Sequence, residues 1–219
     1  MAKLSVKNKE LIIFDLDGTL IDSAPDLTTS INYMLKKLGK ETFLEKEVRN
    51  WLGDGAQMLV KRALQQDNNE KTFKNALEIF LNHYEKNFCI NTKLYPNVLQ
   101  TLQKLKDKGY ILAIVTNKPY KFVNPILDKL NILEYFSCVL GGDSLPTKKP
   151  APEPLLEVCK HFGISTDKAL MIGDSKNDII SAKDAGIESI ALTYGYNFDE
   201  DISKYNPNKI IDNISKILD

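Results

Sequence analysis

The stretch Leu11-Ile-Ile-Phe-Asp-Leu-Asp-Gly-Thr19 decides the fold of this chain. Its four apolar residues end abruptly at Asp15, which is typical of a strand buried inside a parallel sheet. Such a strand would present Asp15 at its carboxyl end, and Asp17 follows two residues later. We therefore expect two carboxylates at one edge of a sheet.

The same pattern returns four times downstream. The apolar runs 112–115, 138–140, 169–172 and 189–192 each end at a threonine or a glycine. Helical stretches are expected between them, at 98–108, 121–130, 154–162 and 177–185. Strands that alternate with helices predict an α/β fold with a doubly wound, Rossmann-like parallel sheet. Ligands of such sheets bind outside the carboxyl ends of the strands.

Residues 23–92 contain no convincing strand and have the periodicity of helices. Amphipathic patterns begin at Leu27, Ala56 and Ala76, and the string Ser23-Ala-Pro-Asp26 predicts a capping box for the first helix. We expect an α/β core domain at 1–22 and 93–219, and a helical cap domain at 23–92. An insertion directly after the first strand suits a lid over the sheet edge.

The composition excludes several classes of partner. The 219 residues include 29 Lys+Arg and 29 Asp+Glu, so no net field favours nucleic acid or anionic lipid. No apolar run approaches the roughly 20 residues of a membrane span. Three cysteines without metal-ligand spacing, and an N-terminus without a secretion signal, predict a cytoplasmic protein. We expect a small-molecule partner, with neither nucleic acid nor membrane.

Two more acids, Asp174 and Asp178, follow the strand expected at 169–172. Topology brings them to the same edge as Asp15 and Asp17, where two unit charges about 4 Å apart repel by roughly 4 kcal/mol. A bound cation resolves this conflict. Because the donors are all oxygen atoms, the expected cofactor is Mg²⁺ rather than Zn²⁺.

Donor groups accompany these acids: Thr116 and Asn117 follow one strand, and Lys148-Lys149 precede Pro150. A metal, a hydroxyl and an ammonium together predict a phosphoryl site, since phosphoryl transfer needs in-line placement and neutralised charge. An aspartate can serve as the nucleophile while a neighbouring acid moves protons. Asp15 and Asp17 fit these roles in that order.

The four motifs resemble the haloacid dehalogenase superfamily in type and order. They are Asp-x-Asp-x-Thr (Asp15, Asp17, Thr19), a strand-end Thr116, Lys149-Pro150, and Gly-Asp-x-x-x-Asp (Gly173, Asp174, Asp178). The resemblance implies a C1-type cap and a phosphomonoester hydrolase with an aspartyl-phosphate intermediate. It implies that Mg²⁺ is held by Asp15, by Asp174 and by Asp17 through its backbone carbonyl. It further implies that Thr116 and Lys149 hold phosphate, that Asn117 lies beside them, and that Asp178 holds Lys149 or a metal-bound water.

Shorter strings resemble the phosphoglycolate phosphatases of that superfamily, among them Trp51-Leu-Gly-Asp-Gly55 and Leu192-Thr-Tyr-Gly-Tyr-Asn197. This resemblance implies 2-phosphoglycolate as the substrate. Free N–H groups near Gly53, Asp54 and Gly55, at the start of a helix, could bind the substrate carboxylate. Arg49, Arg62 and Lys118 are further candidates for that contact.

Other functions use similar residues. Another small-metabolite phosphatase, acting on a sugar phosphate or pyrophosphate, would share these strings, and a β-phosphoglucomutase-like mutase would use the same nucleophile and metal. A receiver domain is a more remote alternative, since its compact size leaves no room for nearly seventy inserted residues. The sequence leaves monomer and homodimer open.

Overall fold

The computed structural model describes residues 6–65, 69–198 and 200–218. Within them, the strands are β1 (Leu11–Phe14), β2 (Ile21–Asp22), β3 (Lys93–Leu94), β4 (Ile111–Val115), β5 (Cys138–Leu140), β6 (Ala169–Gly173), β7 (Glu188–Leu192) and β8 (Lys209–Ile211). The helices are α1 (Ala24–Lys37), α2 (Glu45–Arg49), α3 (Ala56–Leu64), α4 (Glu70–Asn87), α5 (Val98–Asp107), α6 (Tyr120–Lys129), α7 (Glu153–Phe162) and α8 (Lys176–Asp184). None of the described helices combines the length and the apolar character that a bilayer crossing requires.

The main sheet has six parallel strands in the order β5-β4-β1-β6-β7-β8. Strand β1 lies between β4 and β6, so that Leu11 is in register with Ile111 on one side and Ala169 on the other. All four residues of β1 are fully buried, as expected for a central strand covered on both faces. This order makes the carboxyl ends of β4, β1 and β6 neighbours.

The fold class predicted from the sequence is confirmed. The five expected strands are present as β1, β4, β5, β6 and β7. The prediction missed β8, where Ile211 is buried but Ile210 is 41% exposed, so the strand has almost no apolar run to reveal it. It also missed the short antiparallel pair β2–β3.

Helices α1 to α4 lie between β2 and β3 in the chain. Their buried residues Ile31, Met34 and Phe80 belong to the same apolar cluster as Phe14 of β1 and Ile172 of β6. The predicted capping box at Ser23 and Asp26 is wrong. The Ser23 hydroxyl donates instead to Asp17 Oδ1, at 2.6 Å. Asp26 accepts from the returning chain, whose backbone N–H groups at 90–92 offer it several donors at once.

Candidate active site

Three buried carboxylates meet at the carboxyl edge of the sheet. Asp15 follows β1, Asp174 follows β6, and Asp178 lies in the first turn of α8. One carboxylate oxygen of each lies within 4.8 Å of the others. The three residues are 6%, 1% and 0% exposed, so water does little to screen their mutual repulsion.

Two hydrogen bonds and two closely packed glycines fix Asp174 in place. Its Oδ1 accepts from the Thr19 hydroxyl and its Oδ2 from the Tyr196 N–H, both at 2.6 Å. Gly18 and Gly195 pack so closely on this carboxylate that a Cβ on either would lie 2.2 Å from Oδ2. Because Gly18 also has a φ of +92°, any other residue there would be both crowded and strained.

Lys149 is the cation that the structure places among these acids. Its Nζ donates to Asp178 Oδ1 at 2.6 Å and lies 3.0 Å from Asp15 Oδ1. The other oxygen of Asp178 accepts from the N–H and the hydroxyl of Ser175. Of the two contacts that the sequence left open for Asp178, the structure therefore contains the one with Lys149.

The charge in this cluster is not balanced. Burial, partly offset by Lys149, raises the pKa of Asp15 to about 6. The pKa of Asp174 is raised well above its usual value, mainly by burial and to a smaller extent by the charges of Asp15 and Asp178. A single ammonium therefore faces three carboxylates, and further positive charge would stabilise them.

The donor set fits a divalent metal ion. Asp15 Oδ1 is buried and has no hydrogen-bond donor of suitable geometry among the described residues, although Lys149 lies near it. Oxygen is the only donor type in the cluster, and hard divalent cations prefer oxygen ligands. An ion beside Asp15 and Asp174 would coordinate the Asp15 oxygen that lacks a hydrogen bond, and it would offset the excess negative charge.

The side chain of Asp17 lies apart from this cluster. Its Oδ1 accepts from Ser23, and the Lys118 ammonium lies 3.0 Å from Oδ2 and 3.1 Å from Oδ1. Burial is the largest single influence on the pKa of Lys118 and would lower it, but Asp17 and Tyr84 together outweigh burial and raise the pKa. Thr116, which follows β4, is buried beside Asp15 and Asp17 in the wall of a shared cavity.

Asn117 connects the sheet edge to the helical insertion. Its side-chain Nδ2 donates to the carbonyl oxygens of Gly53 and Lys149, at 3.0 and 2.9 Å. Both of its side-chain N–H bonds are thus engaged in this structure. Phosphate binding by Asn117 stays a prediction, and it would use another group of the residue or require these contacts to open.

The loop at 53–55 lies closed against the sheet edge. The Asp54 carboxylate pairs with Arg62 and accepts from Asn177 Nδ2, while Lys148 Nζ donates to the Asp54 carbonyl oxygen at 2.7 Å. Asp54 is therefore turned toward cations and amides rather than toward the cavity. Gly55 has a φ of +86° and lies so near Asn117 that a Cβ would be 2.8 Å from the Asn117 carbonyl oxygen.

A cavity lies between this loop, helix α4 and the acids. Gly53, Gly55, Asp15, Asp17 and Thr116 line it. Arg49 and Arg62 are not among its described lining residues, because Arg49 binds Asp22 and Glu45 and Arg62 binds Asp54. The remaining wall is mostly apolar.

Sequence reasoning missed several partners of the site. The contacts of Ser23 and Lys118 with Asp17, and of Tyr196 with Asp174, join segments far apart in the chain. One feature of the sequence could have indicated Lys118 and Tyr196 as site residues. Both lie in loops that directly follow strands, β4 and β7, at the carboxyl edge of the sheet.

A model of the haloacid dehalogenase-like hydrolases matches residues 12–192. The chain belongs to this family. The match confirms the resemblance expected from the four motifs.

Similar proteins agree with this assignment. A protein named phosphoglycolate phosphatase from Colwellia psychrerythraea is 45% identical, over 98% of each chain. One of the same name from Psychrobacter arcticus is 46% identical, over 97% of this chain and 95% of that one. The crystal structure of a "predicted phosphoglycolate phosphatase" from Haemophilus somnus matches with a TM-score of 0.92 and 44% identity, over 97% of both chains. The chain is thus a phosphatase of this hydrolase family.

Proposed function

We propose that this protein is a Mg²⁺-dependent phosphatase that hydrolyses 2-phosphoglycolate to glycolate and phosphate through an aspartyl-phosphate on Asp15. One observation carries the catalytic part: Asp15 lies buried between Lys149 and two further carboxylates and lines the cavity. The names of the relatives, at 45% and 46% identity, support the substrate.

In the first step, an Asp15 oxygen attacks phosphorus, and the bond from phosphorus to the glycolate oxygen breaks. Lys149, 3.0 Å from Asp15, and the nearby Thr116 hold the non-bridging oxygens and offset their negative charge. Asp17, on the same cavity wall, gives a proton to the departing oxygen.

In the second step, water attacks the phosphorus of the aspartyl-phosphate, Asp17 takes a proton from that water, and Asp15 is released. Asp15 and Asp174 would hold the Mg²⁺, together with the Asp17 backbone carbonyl. When bound, Mg²⁺ supplies positive charge that offsets the buried carboxylates and the phosphoryl oxygens. Asp178 positions Lys149 through their 2.6 Å contact.

We further propose that 23–92 act as a cap over a core formed by 1–22 and 93–219. The hydrogen bonds from Asn117 and Asn177 to the 53–55 loop support a closed arrangement that excludes water from the cavity. The free cysteines at 89, 138 and 159 support the cytoplasm as the compartment in which the protein acts.

The decisive experiment measures kcat/KM with Mg²⁺ for a panel of phosphate esters that includes 2-phosphoglycolate, sugar phosphates and pyrophosphate. We expect 2-phosphoglycolate to be the preferred substrate and free phosphate to form in equal amount to glycolate. Preference for another ester would overturn the substrate. A sugar bisphosphate formed without free phosphate would instead indicate a mutase.

A further inference from the structure

Among the described residues, the cavity wall carries one positively charged side chain, and it is not Lys149. Lys118 is the only Lys or Arg among the described residues that line the cavity. Apart from Asp15, Asp17, Thr116 and Asn117, the wall is mostly apolar, with Leu27, Leu52, Leu59, Phe80 and Phe122. An apolar wall with one cation fits a small ligand that carries one negative group besides its phosphate.

Tyr84 of helix α4 supplies a second polar group on this wall. The residue is 1% exposed, and its hydroxyl, which lies near the Lys118 ammonium, has no hydrogen-bond acceptor among the described residues. The Lys118 ammonium lies 4.9 Å from the centre of the Tyr84 ring, so the two side chains are neighbours. A buried O–H without an acceptor is costly, and a ligand oxygen in the cavity would supply one.

The position of Lys118 relates this pair to the reacting centre. Its Nζ contacts both oxygens of Asp17, two residues from the nucleophile Asp15. A carboxylate that is one carbon away from the ester oxygen would therefore lie near Lys118 while its phosphate lies near Asp15. An ammonium has three donors, so Lys118 can hold Asp17 and a substrate carboxylate together.

We propose that Lys118 and Tyr84 bind the carboxylate of the substrate and thereby select short phosphate esters whose alcohol part is anionic. This inference rests on the proposed phosphatase function. Lys118 donates to the carboxylate from the core, and the Tyr84 hydroxyl donates to it from the helical insertion. Substrate recognition thus uses both sides of the closed cavity.

The test compares 2-phosphoglycolate with 2-hydroxyethyl phosphate, an ester of similar length that lacks the carboxylate. The readout is the ratio of their kcat/KM values in the wild type and in variants. Lys118→Met removes the charge, and we expect the ratio to fall about 10- to 100-fold, as for loss of hydrogen bonds to a charged group. Lys118→Arg should recover part of the ratio. Tyr84→Phe should lower it about 3- to 10-fold.

Lys121→Met is the matched control, because Lys121 is a half-exposed lysine of α6 that pairs with Glu85. Its ratio should equal that of the wild type. A wild type that does not prefer 2-phosphoglycolate contradicts the proposed function itself. A wild type that prefers it, with the preference intact in Lys118→Met and Tyr84→Phe, overturns this inference alone and places the anion contact elsewhere, such as at the start of α3. Tyr84→Phe decides the question if Lys118→Met does not fold.

Discussion

Asp26 and Asp174 are both almost fully buried, yet their surroundings treat a negative charge in opposite ways. Asp26 accepts from the backbone N–H groups of Ile90, Asn91 and Thr92 and from the Thr92 hydroxyl. Burial alone would raise the pKa of Asp26, but these donors outweigh it and hold the pKa below the usual 3.8. The pKa of Asp174 is raised, because burial and two neighbouring carboxylates outweigh its two donors.

The difference separates a structural acid from a functional one. The charge of Asp26 is satisfied by the protein, and it ties the start of α1 to the chain that returns to the core. The charges of Asp15 and Asp174 exceed what their partners satisfy, so they favour a ligand that brings positive charge. The number of donors around a buried carboxylate, rather than its burial, therefore indicates its role.

The largest effect should come from Asp15→Asn, which removes the proposed nucleophile. We expect kcat for 2-phosphoglycolate to fall by about 10⁴-fold or more. Stability should move the other way. Because the folded-state pKa of Asp15 is about 6, its ionised form destabilises the metal-free protein above that pH. The metal-free variant should therefore gain about 1 to 3 kcal/mol in free energy of unfolding at neutral pH. Urea unfolding in the presence of a chelator measures this free energy. A clear loss of stability in Asp15→Asn would contradict the view that the acid cluster, unlike Asp26, has too few donors for its charge.

Asp26→Asn should show the opposite pattern. It leaves buried donors facing an amide, and we expect the free energy of unfolding at neutral pH to fall by about 2 to 4 kcal/mol. The folded protein should keep Mg²⁺-dependent turnover, since Asp26 contacts the 90–92 segment and not the acid cluster. Urea unfolding and kcat/KM on the same preparation measure both. A variant as stable as the wild type would show that the donors do not favour the ionised acid.

The stability difference between the wild type and Asp26→Asn should depend on pH in a definite direction. Because the pKa of Asp26 is lower in the folded state, its stabilisation is complete above the unfolded-state value of 3.8 and is lost as pH falls through the folded-state value. The stability difference between wild type and Asp26→Asn should shrink as the pH falls below 3.8. A difference that stays constant over this range would refute the assignment.

Added Mg²⁺ should stabilise the folded protein through the acid cluster and not through Asp26. At about 100 times the dissociation constant, a ligand specific to the folded state adds about 2.7 kcal/mol to the free energy of unfolding. We expect a gain of this order in the wild type and in Asp26→Asn, and little or none in Asp174→Asn. Thermal unfolding over a Mg²⁺ titration measures it. An equal gain in Asp174→Asn would place the ion elsewhere.

The sequence predicts the positions of Asp15, Thr116 and Asp174 because each follows a run of buried apolar residues, and a parallel sheet brings such strand ends together. It does not predict the pairing of Lys118 with Asp17. That contact depends on the path of a loop and on residues of the helical insertion such as Ser23, whose local pattern favoured a helix N-cap. Nor does it predict that Asp54 faces Arg62 and Asn177, since Gly53 and Gly55 allow several loop conformations.

Tyr196 contacts both the acid cluster and the start of α1. Of the variants considered, Tyr196→Phe should change stability and Mg²⁺ binding the least. Its N–H holds Asp174, while its hydroxyl donates to Asp22 Oδ1 and accepts from the N–H groups of Ser23 and Ala24. Tyr196→Phe keeps the first contact and removes the others, so stability should fall by about 1 to 2 kcal/mol. Mg²⁺ affinity should change less than about 3-fold, because the backbone donor remains. A larger loss of Mg²⁺ affinity in a Mg²⁺ titration would show that the hydroxyl contacts at the start of α1 also position Asp174. The acid cluster would then depend on the packing of α1 against the sheet edge.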